Sequence, residues 1–384
     1  MIFLNSDQLE QLANLRKHLH QHPELSHREK ETPGRLMEFL KENNPNLSFQ
    51  TGIGGNGFIA VADSGHEGPV SVFRAELDAL PIQEINKIQH KSQHEGIGHK
   101  CGHDGHMAIL CGLGIWLASR PPERGKVVLL FQPAEEVGEG AEKMIDDPAF
   151  KHIEGDRFFA LHNLPGYEKG EVLLKDGVFA SASAGMEVFL KGRTSHAGHP
   201  ENGVSPVGAL AYLLNELPAV ASQRVPFGEA ALITVIHSKL GEIAFGTSPG
   251  YGEIRATLRT HTNEALEVLQ SAALSRVEHI AVAYGLNSET QFREVFSATI
   301  NDGGVYEEIR ELWESSGFPV RSAEKPFPWS EDFGRFLEKK PGLFFGLGAG
   351  ESCPQLHNPD YDFPDDLIGE GVKVFAHIAS HYHH

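Results

Sequence analysis

Lys126-Val127-Val128-Leu129-Leu130-Phe131-Gln132-Pro133-Ala134-Glu135-Glu136 is the stretch that decides the fold. Lys126 to Phe131 reads as a strand buried on both faces, the kind found in parallel sheets. It runs directly into two carboxylates. Adjacent residues at the end of an extended segment point in different directions. One of Glu135 and Glu136 can therefore ligate a metal while the other faces a water on that metal. The carboxyl end of a parallel strand is also where active sites of open α/β sheets form.

Working outward, the elements alternate. Upstream lie a helix from about His103 to Leu117, apolar on most faces and so buried, and strands at Gly57 to Ala62 and Val70 to Phe73. Earlier still, Ser6 is placed to cap a helix whose apolar positions Leu9, Leu12, Leu15 and Leu19 recur every three or four residues. Downstream come a helix from Glu139 to Ile145 and a strand from Arg157 to His162. Such alternation predicts an α/β fold, a largely parallel mixed sheet covered by helices on both faces. Near Ser183 the texture changes to a compact, partly antiparallel α+β module: strands at Met186 to Leu190, Ala231 to Ile236, Gly252 to Thr260 and Thr290 to Phe296, with helices at Ser205 to Leu217 and Asn263 to Tyr284. After Asn301 the first texture returns, with a helix at Tyr306 to Trp313, a strand at Leu343 to Leu347 and a closing helix at Leu367 to His381. The expected organisation is a discontinuous domain, 1–183 and 297–384, with residues 184–296 inserted. A chain of 384 residues exceeds the roughly 250–300 that one core serves.

The formal net charge of -19 argues against nucleic acid and anionic membranes, both of which need excess Lys and Arg. No apolar run reaches the length of a membrane span, and the start at Met1 lacks a secretory leader's pattern. Three cysteines, Cys101, Cys111 and Cys353, make no disulfide framework. A cytoplasmic location is the expectation. Of the 22 histidines, His18, His20 and His22, in or just after the first helix, and His381, His383 and His384, at the other end, are assigned no role.

Chemistry concentrates in four segments. His99-Lys100-Cys101-Gly102-His103-Asp104-Gly105-His106 puts thiolate, imidazole and carboxylate at the start of a helix, a donor mix that suits zinc and similar transition ions. Glu135 and Glu136 form the second segment. Leu161-His162-Asn163 closes the next apolar strand, and Leu356-His357-Asn358-Pro359 lies late in the chain. One Cys, three His and one or two Glu suffice for two divalent ions, each with an open position. Gly52-Ile53-Gly54-Gly55 opens a strand rather than a helix and so fails as a phosphate cradle.

In this order, Arg74-Ala75-Glu76-Leu77-Asp78-Ala79-Leu80-Pro81, His99 to His106, Gln132-Pro133-Ala134-Glu135-Glu136, Gly192-Arg193-Thr194-Ser195-His196-Ala197, Ser330-Glu331-Asp332-Phe333 and Leu356 to Pro359 resemble the amidohydrolase branch of the aminoacylase/carboxypeptidase-type dimetal peptidases. That branch includes hippurate hydrolases, indole-acetyl-amino-acid hydrolases and N-acetyl-diaminopimelate deacetylases. The resemblance implies that Cys101 bridges two metals and that His103, Glu136, His162 and His357 complete the ligand set. It implies Glu135 as general base and Asp78 as a supporting carboxylate. It further implies a homodimer, in which the inserted segment is a lid and dimerisation domain whose His196 reaches the partner's site. The substrate implied is a small N-acyl amino acid, its carboxylate taken by Arg259. The metals expected are zinc or manganese, with nickel or cobalt also compatible. The chain departs from the branch at Ala244-Phe245-Gly246-Thr247-Ser248-Pro249, where Gly246 replaces a substrate-holding asparagine. The competing readings are a dimetal aminopeptidase or dipeptidase and a non-catalytic metal-stabilised binding protein.

Overall fold

The computed structural model describes residues 4–153 and 155–384; the Met1–Phe3 start lies outside the described residues. Two compact units are present. The first runs to Phe179 and takes up the chain again at Thr299–Lys325 and Asp332–His384. The second comprises Ala180–Ala298 and Pro326–Glu331. The divisions fall a few residues from the expected 183/184 and 296/297, and the short segment Pro326–Glu331 joins the second unit, which no local pattern signalled.

The first unit is built on an eight-stranded mixed sheet. Its centre is four parallel strands in the order Lys126–Gln132, Val70–Glu76, Arg157–Pro165 and Gly342–Gly350. Strand Lys126–Gln132 is buried from Val127 onward, as its continuous apolar run requires. Outside this core Gly57–Asp63 pairs antiparallel with Lys126–Gln132, and Val172–Leu174 pairs antiparallel with Gly342–Gly350. At the far edge Val320–Ser322 pairs parallel with Val172–Leu174, so the sheet is mixed on both sides of its parallel centre. Helix His103–Ser119 is buried at every position from His103 to Leu117. Helices Ser6–Gln21 and Leu367–His383 pack against it, with Leu12, Leu15, Leu19, Val372 and Phe375 in one apolar core.

Several boundaries differ from the sequence reading. Ser6 does not cap the first helix; Asn5 does, accepting from Gln8 N at 2.9 Å while Gln8 Oε1 accepts from Asn5 N at 3.0 Å. Asn is as good a cap as Ser, and the Gln three residues on completes a capping box. Helix Thr32–Asn43 has no counterpart in the sequence reading. The strand bearing His162 continues to Pro165, so His162 lies within it rather than at its end.

The second unit is a four-stranded antiparallel sheet, ordered Ala231–Leu240, Tyr251–Thr260, Ala182–Lys191, Asn287–Phe296. Helices Val207–Arg224 and Asn263–Ala283 pack on it. Their buried positions, Leu210, Leu213, Leu217 and Val220, and Leu266, Leu269, Ala273 and Val277, recur every three or four residues, the apolar stripe of an amphipathic helix. No helix among the described residues is long and apolar enough to cross a membrane.

Candidate metal centre

The ligand-type residues of the first unit converge at the carboxyl ends of the parallel strands. Cys101 enters from the turn before helix His103–Ser119, where Gly102 holds φ at 98°, a left-handed conformation natural to glycine. Glu135 and Glu136 follow strand Lys126–Gln132 through Ala134, whose φ of 51° is uncommon for a residue with a side chain. The Ala134 N–H donates to Glu29 Oε1 at 2.8 Å, which anchors this bend. His357 likewise has a φ of 64°, and its N–H donates to the Lys100 carbonyl at 2.8 Å. That bond holds His357 beside the turn that bears Cys101, 256 residues away in sequence.

Five triads of donor atoms result among the described residues, each with its atoms within 4.8 Å of one another: Cys101, His103 and His162; Cys101, Glu136 and His357; His103, Glu135 and Glu136; and, around these, Glu76, His103 and His106, and Glu135, Glu331 and Asp332. The first two share the Cys101 sulfur. His162 Nε2 lies 3.4 Å and His357 Nε2 3.3 Å from Sγ. One thiolate common to two donor groups would let Cys101 serve two ions.

Partner bonds set the imidazoles for ligation. A carbonyl only accepts, so His103 Nδ1–H donates to the Asp78 carbonyl at 2.8 Å, and His162 Nδ1–H donates to the Asn163 carbonyl at 2.9 Å. Each ring then turns Nε2 toward the cluster, the orientation that partner bonds give metal-binding histidines. Asp78 Oδ2 accepts from Ser26 Oγ at 2.7 Å and Glu136 N at 3.0 Å. Asp78 supports His103 through its backbone carbonyl and through its carboxylate, whose Oδ1 lies 3.7 Å from the same Nδ1, while Oδ2 fixes Glu136.

The electrostatics fit a cation. His103 Nε2 is buried with no hydrogen-bond partner. Burial opposes charge on this ring, yet the hydrogen bond to Asp78 and the nearby Glu76, Glu136 and Asp78 charges outweigh it and push its pKa up to about 10. Without a metal, the surrounding carboxylates draw a proton onto His103; a cation would take that proton's place. His162 and His357 are held below the usual imidazole range, first by burial and then by neighbouring histidines, which favours the neutral ring that a metal ligand requires. Thiolate, imidazole and carboxylate donors around a buried, negatively biased point suit transition ions with N/S preference.

His196 and Arg259 belong to the second unit. His196 is exposed on the short strand Ser195–His196, which pairs with Thr247–Ser248. Arg259 Nη1 donates to the Pro328 carbonyl at 2.9 Å and to Ser330 Oγ at 3.2 Å, which anchors one arm of its guanidinium.

Sequence reasoning missed the groups that surround the ligands. His20, set aside as ordinary, is fully buried between Asp104 and Glu84. His106 bridges Glu76 Oε2 and Asn163 Oδ1 at 2.7 and 2.6 Å. Arg74 ties Glu76 to Asp332. His383, also assigned no role, bonds the Arg124 carbonyl and Ser71 Oγ, both at 2.9 Å. The paired His-x-His spacing at His18, His20 and His22 was the available signal, and it does not say which imidazole turns inward.

A mixed sheet with an inserted α+β unit and a thiolate-centred cluster of six donor residues defines a class: dinuclear metallohydrolases. Residues 72–381 match the model of peptidase family M20/M25/M40, and the chain belongs to that family. Two Bacillus subtilis relatives are an N-acetylcysteine deacetylase, 30% identical over 96% of each chain, and an N-acetyl-L-cysteine deacetylase, 33% identical over 93% of this chain and 85% of its own. A solved Bacillus subtilis structure, described as a dinuclear metal binding peptidase from the M20 family, is 27% identical, covers 98% of both chains and superposes with a TM-score of 0.81. The chain is a metal-dependent hydrolase of amide bonds, and two metal ions are its cofactors.

Proposed function

We propose that the protein cleaves the amide bond of N-acyl amino acids, with Cys101, His103, Glu136, His162 and His357 as ligands to two zinc or manganese ions and Glu135 as general base. The observation that carries the reading is the single Cys101 sulfur shared by two donor triads beside an orphaned, buried His103 Nε2. The two deacetylase relatives, named for an acetylated amino acid, support the substrate class.

When bound, the ions supply Lewis acidity, a more acidic water and a polarised scissile carbonyl. Glu135 takes the water's proton and returns it to the leaving nitrogen. Its carboxylate is nearly buried and faces the Asp332 N–H, with Oε1 3.4 Å away. Asp78 holds both the His103 ring and the Glu136 backbone in place. Arg259 offers its remaining donors to the substrate carboxylate, a fork-shaped match. His196 donates to the developing oxyanion from the partner of a homodimer. Leu232, Ile236 and Leu240, apolar and exposed on the edge strand Ala231–Leu240, support the second unit as the dimer surface, because such edges call for cover.

A panel of acetyl- and benzoyl-amino acids and free-amino dipeptides, assayed with zinc- and manganese-loaded enzyme, tests the reading. Hydrolysis of the acylated substrates is expected. Turnover of free-amino dipeptides alone would reassign the protein to the aminopeptidase or dipeptidase reading.

A further inference from the structure

Two charged residues bracket the ligand turn: Lys100 precedes Cys101, and Asp104 follows His103. Their side chains are joined through two others. Lys100 Nζ donates to Glu84 Oε1 at 2.8 Å, and His20 Nε2 meets that same oxygen at 3.1 Å. His20 Nδ1 meets Asp104 Oδ2 at 2.8 Å. The four alternate in sign, and none is more than 1% exposed.

The bonds fix the protonation of His20. A carboxylate oxygen only accepts, and a neutral imidazole has one N–H. Bonds from both ring nitrogens to carboxylates therefore require the doubly protonated ring. The charge around it agrees. Glu84, Asp104, Asp362 and Asp365 are set against Arg16, Lys17 and Lys100 through bonds or ion pairs, so four carboxylates meet three fixed cations and His20 makes the fourth. The other rings near it are His90 and His99, at centroid distances of 5.5 and 6.4 Å. Buried charges like these are often replaceable by apolar residues without loss of stability, so stability alone does not account for four at this point.

We propose that His20, as an imidazolium, is a positioning residue for the metal centre: it closes a buried clasp, Lys100–Glu84–His20–Asp104, that holds the turn bearing Cys101 and His103 in ligating geometry. The proposal rests on the reading of Cys101 and His103 as ligands. The clasp is sensitive to alkali. Burial opposes charge on His20, but its bonds to Asp104 and Glu84 outweigh this and push its pKa up to about 9. Because that value lies above the ordinary imidazole one, the clasp is complete below about pH 6.5 and is lost as pH rises through about 9. Protonation of ligands weakens metal binding as pH falls; the clasp weakens it as pH rises, so the two effects have opposite signs.

The test uses full-length protein reloaded with Zn(II) or Co(II), comparing wild type with His20→Gln and Glu84→Gln. Affinity is read by competition with a chromophoric chelator, and geometry by the cobalt–thiolate absorption. Folded variants are expected to bind about 10- to 100-fold more weakly, the usual effect of losing a ligand's support, with an altered thiolate band. Wild-type affinity and an unchanged band in either folded variant overturn the clasp. If both variants fail to fold, wild type alone decides: chelator-driven metal loss should accelerate through about pH 9, and a flat profile from pH 7 to 10 overturns the proposal. Cys101→Ser separates the two readings. If it leaves metal binding intact, the ligand assignment fails; if it abolishes binding while His20→Gln does not weaken it, the clasp alone fails.

Discussion

Glu135 and Glu136 are neighbours in sequence that share one donor triad with His103 and otherwise keep different company. The backbone of Glu136 is tied to Asp78, and its carboxylate shares a donor triad with Cys101 and His357. Glu135 lies against the Asp332 N–H. Glu135→Gln should therefore keep both metals and lower kcat by about 100-fold or more, the scale of a lost general base. Glu136→Gln should instead lose metal, which elemental analysis after dialysis would show. Equal behaviour of the two would undo the division of roles. Gly246 permits a test of the opposite kind. A Cβ there meets nothing within 4 Å, and the backbone is not left-handed, so Gly246→Asn should melt within about a degree of wild type. If the family's amide contact is what this position lacks, that variant should lower KM for N-acyl amino acids. At this scale the donor residues were legible, because unusual types cluster next to glycines and strand ends. Their supports were not. Ser26, Glu29, His20 and Glu84 come from distant segments, and nothing local distinguishes a carboxylate that will be buried from one that stays in water.

The helix His103–Ser119 shows how an element sets the centre. Its buried face is nearly the whole helix, which leaves little freedom to shift, and Gly102 aims its start. A side chain at residue 102 would collide with the Asn163 amide and would also have to adopt a left-handed backbone. Gly102→Ala should cost about 2–6 kcal/mol, summing strained backbone and overpacking. Metal affinity should fall with it, since Cys101 and His103 flank the site. Denaturant unfolding of metal-free protein measures the first effect and chelator competition the second; loss of neither would mean that the turn is slack. The helix was readable from its all-round apolar character, as was the strand Lys126–Gln132 from its unbroken run. The outer strands Val172–Leu174 and Val320–Ser322 were not, because three residues are too few to show a period. The antiparallel pairings of Gly57–Asp63 and Val172–Leu174 also went unseen: an unbroken apolar run shows that a strand is buried on both faces, but not which way each neighbour runs.

On the scale of the whole chain, chemistry is divided between units. Every proposed ligand and Glu135 belong to the first; His196 and Arg259 belong to the second. In the proposed mechanism the ligand set and the imidazole act together, and a homodimer with exchanged histidines would bring that about. At a formal charge of -19 per chain, two copies repel at long range, so the proposed homodimer would have to form through apolar contact. Leu232 and Ile236 on the edge strand, exposed at 55% and 64%, offer it. Mixing decides the matter. Glu135→Gln chains have no base and His196→Ala chains have no oxyanion donor, so each homodimer should be nearly inactive while keeping its metals. Subunit exchange at equal concentrations makes about half of the dimers mixed. If histidines are exchanged, a mixed dimer holds one site with both defects and one with Glu135 and His196 intact. Up to about a quarter of wild-type turnover per site should then return, with the time course of exchange. If each histidine serves its own subunit, no site in a mixed dimer is whole and activity stays at the level of the separate variants, although native mass spectrometry would show the mixed dimer present.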